Sequence, residues 1–155
     1  MSARLRTSSS SKAVKHDPAD LFLVNGHINQ DWDFVVQAIM GCQYVGEFNG
    51  ARRSPAQIVR SGDHCFCRGV CSASLSRQIA YCRITSDQAT YSWVSDVVVH
   101  PDFRRRGIGR FLLESIMNDP IFSRTYIDLS TVDQQAFYGK LGFHLAMHFG
   151  VGPRG

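Results

Sequence analysis

The sequence predicts a single α/β domain built on a mixed central sheet flanked by helices. Three observations carry this expectation. Residues 97–113, VVVHPDFRRRGIGRFLL, read as a β-branched strand that stops at a His-Pro corner and gives way to a helix opening at a glycine turn. Apolar runs of strand length alternate with runs of helical spacing along the chain. The length of 155 residues, 44% of them hydrophobic, suits one domain with a real core, and no apolar run is long enough to span a bilayer.

Leu21 to Ile28 reads as a first strand, short and apolar, with a glycine at position 26. Trp32, Val35, Val36 and Ile39 then recur at helical spacing until Gly41 stops the run, which predicts a first helix. Ser54-Pro55-Ala56-Gln57 is a capping box with proline at the first helical position, and Gly62 offers a C-terminal cap for a short second helix. His64 to Ala73 and Ser76 to Ser86 pattern as a hairpin whose second arm ends at the turn Ser86-Asp87-Gln88. Tyr91 to Val99 follows as a fourth strand, polar only at Ser92, Ser95 and Asp96, the pattern of a strand buried on both faces. Ile108, Phe111, Leu112 and Ile116 give the next helix an apolar stripe that ends before Asp119-Pro120. Thr125 to Ser130 is a fifth strand, Asp133 to Leu141 a last helix, and Phe143 to Phe149 a closing strand. No repeat or linker divides this order. The opening MSARLRTSSSSKAVKH is Ser-rich, basic and free of acids, which predicts a disordered leader over residues 1–18 ahead of a domain over 19–155. An organellar transit peptide shares that composition.

The glycine turn carries the chemistry. A strand that feeds such a turn at a helix start presents backbone N–H groups without intrahelical partners, in the positive half of the helix dipole. That arrangement binds phosphate. Arg104, Arg105 and Arg106 before the glycines and Arg110 after them add charge and directed donors for phosphate oxygens, and Gly107 and Gly109, around Ile108, let the backbone approach a ligand. The expected ligand carries a pyrophosphate. Phe111 and Leu112 stand where a dinucleotide fingerprint would continue toward a third glycine, and the Gly-Lys-Ser/Thr ending of a Walker A loop is missing, so both classes are set aside.

What is left, Arg104-x-x-Gly107-x-Gly109 after a strand ending Val-His-Pro, resembles the coenzyme A signature of the GNAT acyltransferase superfamily. Residues 136–143, AFYGKLGF, are similar to the other GNAT hallmark, a helix ending in a Tyr-x-x-x-Gly-Phe turn. The resemblance is strong over about residues 78 to 146. It implies the GNAT order β-α-α-β-β-β-α-β-α-β, with the fourth and fifth strands splayed around acetyl-CoA. The backbone of Val97, Val98 and Val99 would bind the pantetheine amides as an added strand does, and Arg104 to Arg110 the pyrophosphate. The stretch from Asp87 through Ser95-Asp96-Val97 to Thr131-x-Asp133 also looks similar to a GNAT subgroup of small stand-alone N-acetyltransferases with a Thr-x-Asp-x-x-x-x-Tyr motif.

Acyl transfer to an amine requires the two reactants to be held close, a proton removed from the ammonium form, and the departing thiolate protonated or stabilised. By resemblance Tyr138 stands where these enzymes place a tyrosine that donates to the coenzyme A sulfur. A phenol with a reference pKa near ~10 remains protonated at neutral pH and can do so; its alternative role is packing beside Phe137. Asp96 is the one carboxylate inside the fourth strand, and a charge in so apolar a run needs a partner or a task, so it is read either as a base or as a structural acceptor. GNAT bases commonly sit earlier on this strand, at Trp93 and Ser95 here, neither of which is a competent base; ordered water and Glu47 are the other candidates. Thr131 replaces a common asparagine that helps hold the pantetheine arm, and its hydroxyl can still bond an amide. Tyr44, Glu47 and Phe48, in the connection between the first two helices, border the acceptor site by resemblance. Trp93 with Tyr91 would line a pocket suited to an apolar or aromatic amine.

The net charge of +4 is modest and concentrated at Arg104 to Arg110, with Arg52 and Arg53 as a smaller cluster, which favours a small anionic ligand over a nucleic-acid track. Five cysteines, an odd count without a signal peptide, point to a reducing compartment, hence a cytoplasmic location. Cys65-x-Cys67 is the spacing of one face of a strand rather than of a zinc knuckle, so no metal is expected. The sequence therefore predicts an acetyl-CoA-dependent N-acetyltransferase acting on a primary amine of a small molecule, as a monomer or homodimer, with no nucleic acid or membrane partner. A protein N-terminal or lysine acetyltransferase and a non-catalytic acyl-CoA-binding module are the alternatives.

Overall fold

A computed structural model describes residues 17–42, 47–48 and 51–147. Its sheet has the strand order β1 (Leu21–Asn25), β2 (Phe66–Ser72), β3 (Arg77–Ser86), β4 (Tyr91–Val99) and β5 (Tyr126–Leu129). The first three pairings are antiparallel and β4 with β5 is parallel. The helices are α1 (Trp32–Met40), α2 (Pro55–Arg60), α3 (Ile108–Met117) and α4 (Gln135–Gly139). Glu47–Phe48 and Ala51–Arg52 form a separate two-residue ladder between α1 and α2.

The two faces of the sheet bury different cores. Val70, Ala80, Cys82, Ile84 and Val94 pack against Ile108, Leu112, Leu113 and Ile116 of α3 and against Phe122. Cys67, Tyr81 and Val98 pack against Val35 and Ile39 of α1 and Ile58 of α2. Strand residues alternate between faces, and β4 changes phase midway. Val94 faces α3, whereas Val98 faces α1. The shift comes from a bulge, seen as a register change opposite Tyr81 to Arg83, with Asp96 in left-handed backbone at φ +54°. The parallel pairing of β4 with β5 ends at Val94 with Leu129, so beyond the bulge β4 runs on without a strand on that side among the described residues.

Local signals in the sequence account for most boundaries. Asp31 caps α1 through the Phe34 amide, and Ser54 with Gln57 forms the reciprocal capping box of α2. α4 ends in a Schellman turn: the Phe143 amide donates to the Tyr138 carbonyl at 3.2 Å and the Gly142 amide to that of Gly139 at 3.1 Å, with Gly142 left-handed at φ +94°. Gly142 is there for that backbone.

Several expectations need correction. β1 ends at Asn25 rather than Ile28, because Gly26 turns at φ +83° into a short 3-10 helix over His27–Asn29. α2 closes on a right-handed Ser61, so Gly62 is not its left-handed cap; a Cβ there would lie 2.8 Å from Trp32, and close helix approach is its reason. α4 starts at Gln135 rather than Asp133, since the turn before it is held by Thr131. β4 is not buried on both faces: Tyr91 is exposed, and Trp93 and Ser95 are half-buried. The closing strand over Phe143 to Phe149 does not form over 143–147, and 148–149 lie outside the described residues. Phe143 packs on the core while Leu145 and Met147 are almost fully exposed; among the described residues the apolar alternation has no covering layer to act on. The leader expectation falls on residues outside the described ones except at its end, where Asp17 caps a 3-10 turn over Pro18–Asp20.

No described helix is long and apolar enough to cross a membrane. Cys67, Cys71 and Cys82 are buried and Cys42 and Cys65 half-buried, all as free thiols. Burial pushes the Cys67 and Cys82 thiols up, keeping them protonated. No three His, Cys, Asp or Glu side chains converge as a ligand set among the described residues. Chelator treatment of the purified protein is therefore expected to leave the melting temperature unchanged, and metal analysis to find no stoichiometric zinc; one tightly held zinc per chain would overturn the reading of His64 to Cys71 as a packed strand.

Candidate functional site

The head of α3 is built for an anion by its backbone. Arg105 and Gly107 both adopt left-handed conformations, at φ +60° and +84°. Gly107 is the N-cap, and no side chain among the described residues caps the helix. The first intrahelical return is the Phe111 amide to the Gly107 carbonyl at 2.9 Å, so the amides of Ile108, Gly109 and Arg110 sit at the positive end of the helix without helical acceptors. A Cβ on Gly107 would meet nothing within 4 Å; the turn is open on that side. A pyrophosphate fits this cradle.

The arginines play unequal parts. Arg105 is exposed. Arg104 Nε donates to the Val99 carbonyl at 3.1 Å, tying the turn back to the end of β4. Arg106 lies over the Phe103 ring at 5.4 Å. Arg110 donates to the Lys140 carbonyl at 3.3 Å and pairs with Glu114 at 3.3 Å. Both are exposed contacts of small energy that a phosphate could displace. Val97, Val98 and Val99 lie past the bulge, on the stretch of β4 that no longer pairs with β5.

Tyr138 is brought to this region by the contact of α4 with α3. A Cβ on Gly109 would stand 3.3 Å from the Phe137 ring, so the two helices meet where position 109 has no side chain. The Tyr138 ring is half-buried, edge-on to Phe137 and Phe143 with centroids 5.1 and 5.9 Å away. Burial, and after it the nearby Cys82 sulfur and Asp133 carboxylate, pushes its hydroxyl up to about 12. The phenol stays protonated at neutral pH. The Thr131 hydroxyl oxygen accepts from the Gln134 amide at 3.0 Å, which leaves its O–H as a donor.

Asp96 is held on three sides. Arg53 reaches it with both terminal nitrogens, at 2.6 and 3.0 Å, and Arg83 Nε at 3.0 Å. The carboxylate is almost completely buried and the guanidiniums largely so. Of the two roles the sequence leaves open, this geometry suits the structural one: both carboxylate oxygens accept guanidinium N–H bonds. The donors are side chains rather than the backbone of a turn, and Arg53, noticed only as part of a basic pair, is the residue that reaches across from the start of α2. Replacing Asp96 by Ala removes the carboxylate shared by two largely buried cations, an expected loss of about 3 kcal/mol in urea unfolding. A loss below about 0.5 kcal/mol, the size of a surface change, would mean that the bulge holds itself.

Tyr44 lies outside the described residues, and of Glu47 and Phe48 only the backbone pairing is described. Trp93 is half-buried on β4, opposite Asp128 of β5. Asp128 was missed from the sequence. Its signal, a lone carboxylate inside an apolar strand, is the one that singled out Asp96. It is buried, and accepts the Tyr91 hydroxyl at 2.8 Å.

A parallel strand pair that parts at a bulge, beside a helix opening on glycine and a helix ending at a tyrosine, defines the acyl-CoA N-acyltransferase fold. The family model of the acetyltransferase (GNAT) domain matches residues 62–145. This chain belongs to the GNAT family. It is 34% identical over 76 residues to the uncharacterized N-acetyltransferase ycf52 of Porphyra purpurea and 37% identical over 71 residues to that of Gracilaria tenuistipitata var. liui. Those stretches are 45% and 42% of this chain and only 41% and 37% of the relatives' own lengths. A GNAT-family protein of Xanthomonas campestris pv. campestris superimposes with a TM-score of 0.70 over 90% of this chain and 96% of its own, at 24% identity, a likeness of fold.

Proposed function

We propose that the protein is an N-acetyltransferase that moves an acetyl group from acetyl-CoA to a primary amine of a small molecule, by direct attack with both substrates bound. One observation carries the reading: the amides at the head of α3 that lack helical acceptors, the stretch of β4 that no longer pairs with β5 and the protonated Tyr138 are gathered by a single helix contact, Phe137 on Gly109. The cofactor supplies an acetyl thioester. The amides of Ile108, Gly109 and Arg110, with Arg104 to Arg106 around them, hold its pyrophosphate. Val97 to Val99 offer backbone groups to the pantetheine amides, with the Thr131 hydroxyl as a further donor. As the amine nitrogen bonds to the acetyl carbon and the carbon–sulfur bond breaks, Tyr138 gives its proton to the departing sulfur and is reprotonated by solvent, which also takes the protons the nitrogen sheds. Asp96 acts as a positioning residue that fixes the bulge.

A screen of amines and peptides against acetyl-CoA, with thiol release as readout, tests this. Release with small amines is expected. Release with peptides only would turn the assignment to a protein acetyltransferase. Tight binding of acetyl-CoA by calorimetry without turnover on any amine would make the chain a binding module.

A further inference from the structure

Between the end of β4 and the glycine turn the chain rounds a short corner, and one side chain holds it. His100 stands in extended backbone at ψ +134°, as the residue before a proline does, and caps the 3-10 turn Pro101–Phe103. Pro101 has no N–H to satisfy, so the first amide in need of an acceptor is that of Asp102. It donates to the His100 ring at Nδ1, 3.2 Å away. A backbone amide can only donate, so Nδ1 carries a lone pair and the ring is the neutral tautomer with its proton on Nε2. The ring also stacks on Phe34 of α1, centroids 6.2 Å apart at 20°, and meets Phe103 edge-on at 5.5 Å. Phe103 is buried in the core of α3, with the guanidiniums of Arg77 and Arg106 over its ring at 5.3 and 5.4 Å. The His100 carbonyl accepts the Phe103 amide at 2.9 Å, and the His100 amide donates to the Ile79 carbonyl at 2.8 Å. One residue thus joins β3, β4, α1 and the approach to α3.

We infer that His100 is a positioning residue of the cofactor site: its neutral ring holds the corner that sets the phosphate turn against the end of β4, and a proton on Nδ1 releases that corner and weakens acetyl-CoA binding. The inference rests on the cofactor reading above. Protonation puts an N–H where the Asp102 N–H already points, so the cap is lost and two donors face each other. The contribution is therefore present while the imidazole is neutral and is lost as the pH falls through the range of about 8 to 5 in which imidazoles take up a proton. The charges around the ring pull both ways. The Asp102 carboxylate, 3.9 Å from Nδ1, favours the proton, as do Asp31, which accepts the Phe34 amide, and the exposed Asp33 on α1. Arg77 and Arg106 over Phe103, and Arg104 at the Val99 carbonyl, oppose it. The Asp102 side chain is 79% exposed, and so exposed an ion pair offsets little of a lost cap. The cap decides the sign.

The test compares the full wild-type chain with His100→Ala and His100→Asn, by calorimetry with acetyl-CoA at about pH 8 and about pH 5.5, on either side of imidazole titration. Asparagine accepts from the amide two residues on, as in an Asx-turn, and does not titrate. At the higher pH wild type and Asn are expected to bind alike and Ala about fivefold more weakly, the factor for a lost cap. At the lower pH wild type should fall to the level of Ala while Asn keeps its advantage; titration of the cofactor's own phosphates is common to all three and cancels in the ratios. Ala binding as wild type does, Asn as weak as Ala at the higher pH, or a wild-type to Asn ratio that ignores pH would each overturn the assignment. So would wild type gaining on Asn in acid, which would make His100 a cation that attracts phosphate. Should His100→Ala fail to fold, the wild-type to Asn ratio decides alone. The Asp102 amide resonance, followed without cofactor, separates this inference from the reading it rests on. It should move with pH in step with the His100 ring in wild type and stay fixed in Asn, and an amide that ignores the ring overturns the cap. The expected resonance shifts in a chain that binds no acetyl-CoA would keep the corner's proton switch and sink the cofactor reading, and with it the role of His100 in the site.

Discussion

Tyr138→Phe is expected to lower turnover by the ~10²–10⁴-fold that follows loss of a general acid, with acetyl-CoA affinity and melting temperature little changed. The substitution keeps the ring that packs edge-on to Phe137 and Phe143 and removes only the hydroxyl, for which no hydrogen bond is found among the described residues. Among the described residues no folded-state partner is lost with it. The effect should therefore fall on kcat and spare the KM for the cofactor, because the proton is needed only as the carbon–sulfur bond breaks. The direction of the pKa shift matters here. A phenol pushed up to about 12 by burial remains a donor across the whole range in which a primary amine becomes unprotonated, so the wild-type rate should not decline on the alkaline side through loss of this proton below about that value. A drop smaller than about tenfold, or ~1.4 kcal/mol, would mean that water substitutes as the donor. Full activity would assign Tyr138 to packing and leave the fold and the cofactor cradle standing.

Local rules read the sequence well where the determinant is local. Ser54 with Gln57 and the Gly-Phe turn after the tyrosine helix are each decided within a few residues, and each forms as expected; Asp31 ahead of Trp32 is a local cap of the same kind. The glycine turn before α3 is likewise a property of one segment. Long-range pairings were not legible. That Asp96 is buried could be inferred from its apolar strand, but that Arg53, 43 residues away, would reach it depends on how α2 docks on the sheet. Asp128 escaped for a related reason: its strand is four residues long, too short to show that one face would carry Tyr91, Trp93 and Tyr126 together. The closing strand shows the opposite failure. Phe143, Leu145 and Met147 alternate as a strand does, yet period-two spacing states only which residues share a face, and a face becomes structure only when another layer covers it.

Gly109→Glu is expected to abolish acetyl-CoA binding while leaving the protein folded. Position 109 lies in the first turn of α3, where a carboxylate is favoured by the exposed amides and the helix dipole; the helix itself gains by the change. The same interaction places the new carboxylate on the donors that a pyrophosphate would use, so occupancy and like-charge repulsion act together against the cofactor. Sterics add to this. A Cβ at 109 would stand 3.3 Å from the Phe137 ring and 3.7 Å from Val99, so α4, and Tyr138 with it, must give by a few tenths of an ångström. Gly109→Ala separates the two contributions: it brings the Cβ without the charge and should weaken binding only modestly, whereas Glu should weaken it by more than about 100-fold, beyond the ~2.7 kcal/mol that corresponds to that ratio. Arg104→Ala should fall between wild type and Glu, since it removes one guanidinium and its bond to the Val99 carbonyl but leaves every backbone donor in place. Calorimetry with acetyl-CoA on the three variants, each checked for an unchanged thermal transition, decides the matter. Unaltered affinity in Gly109→Glu would mean that this turn, for all its open amides, is not where the cofactor's phosphates bind.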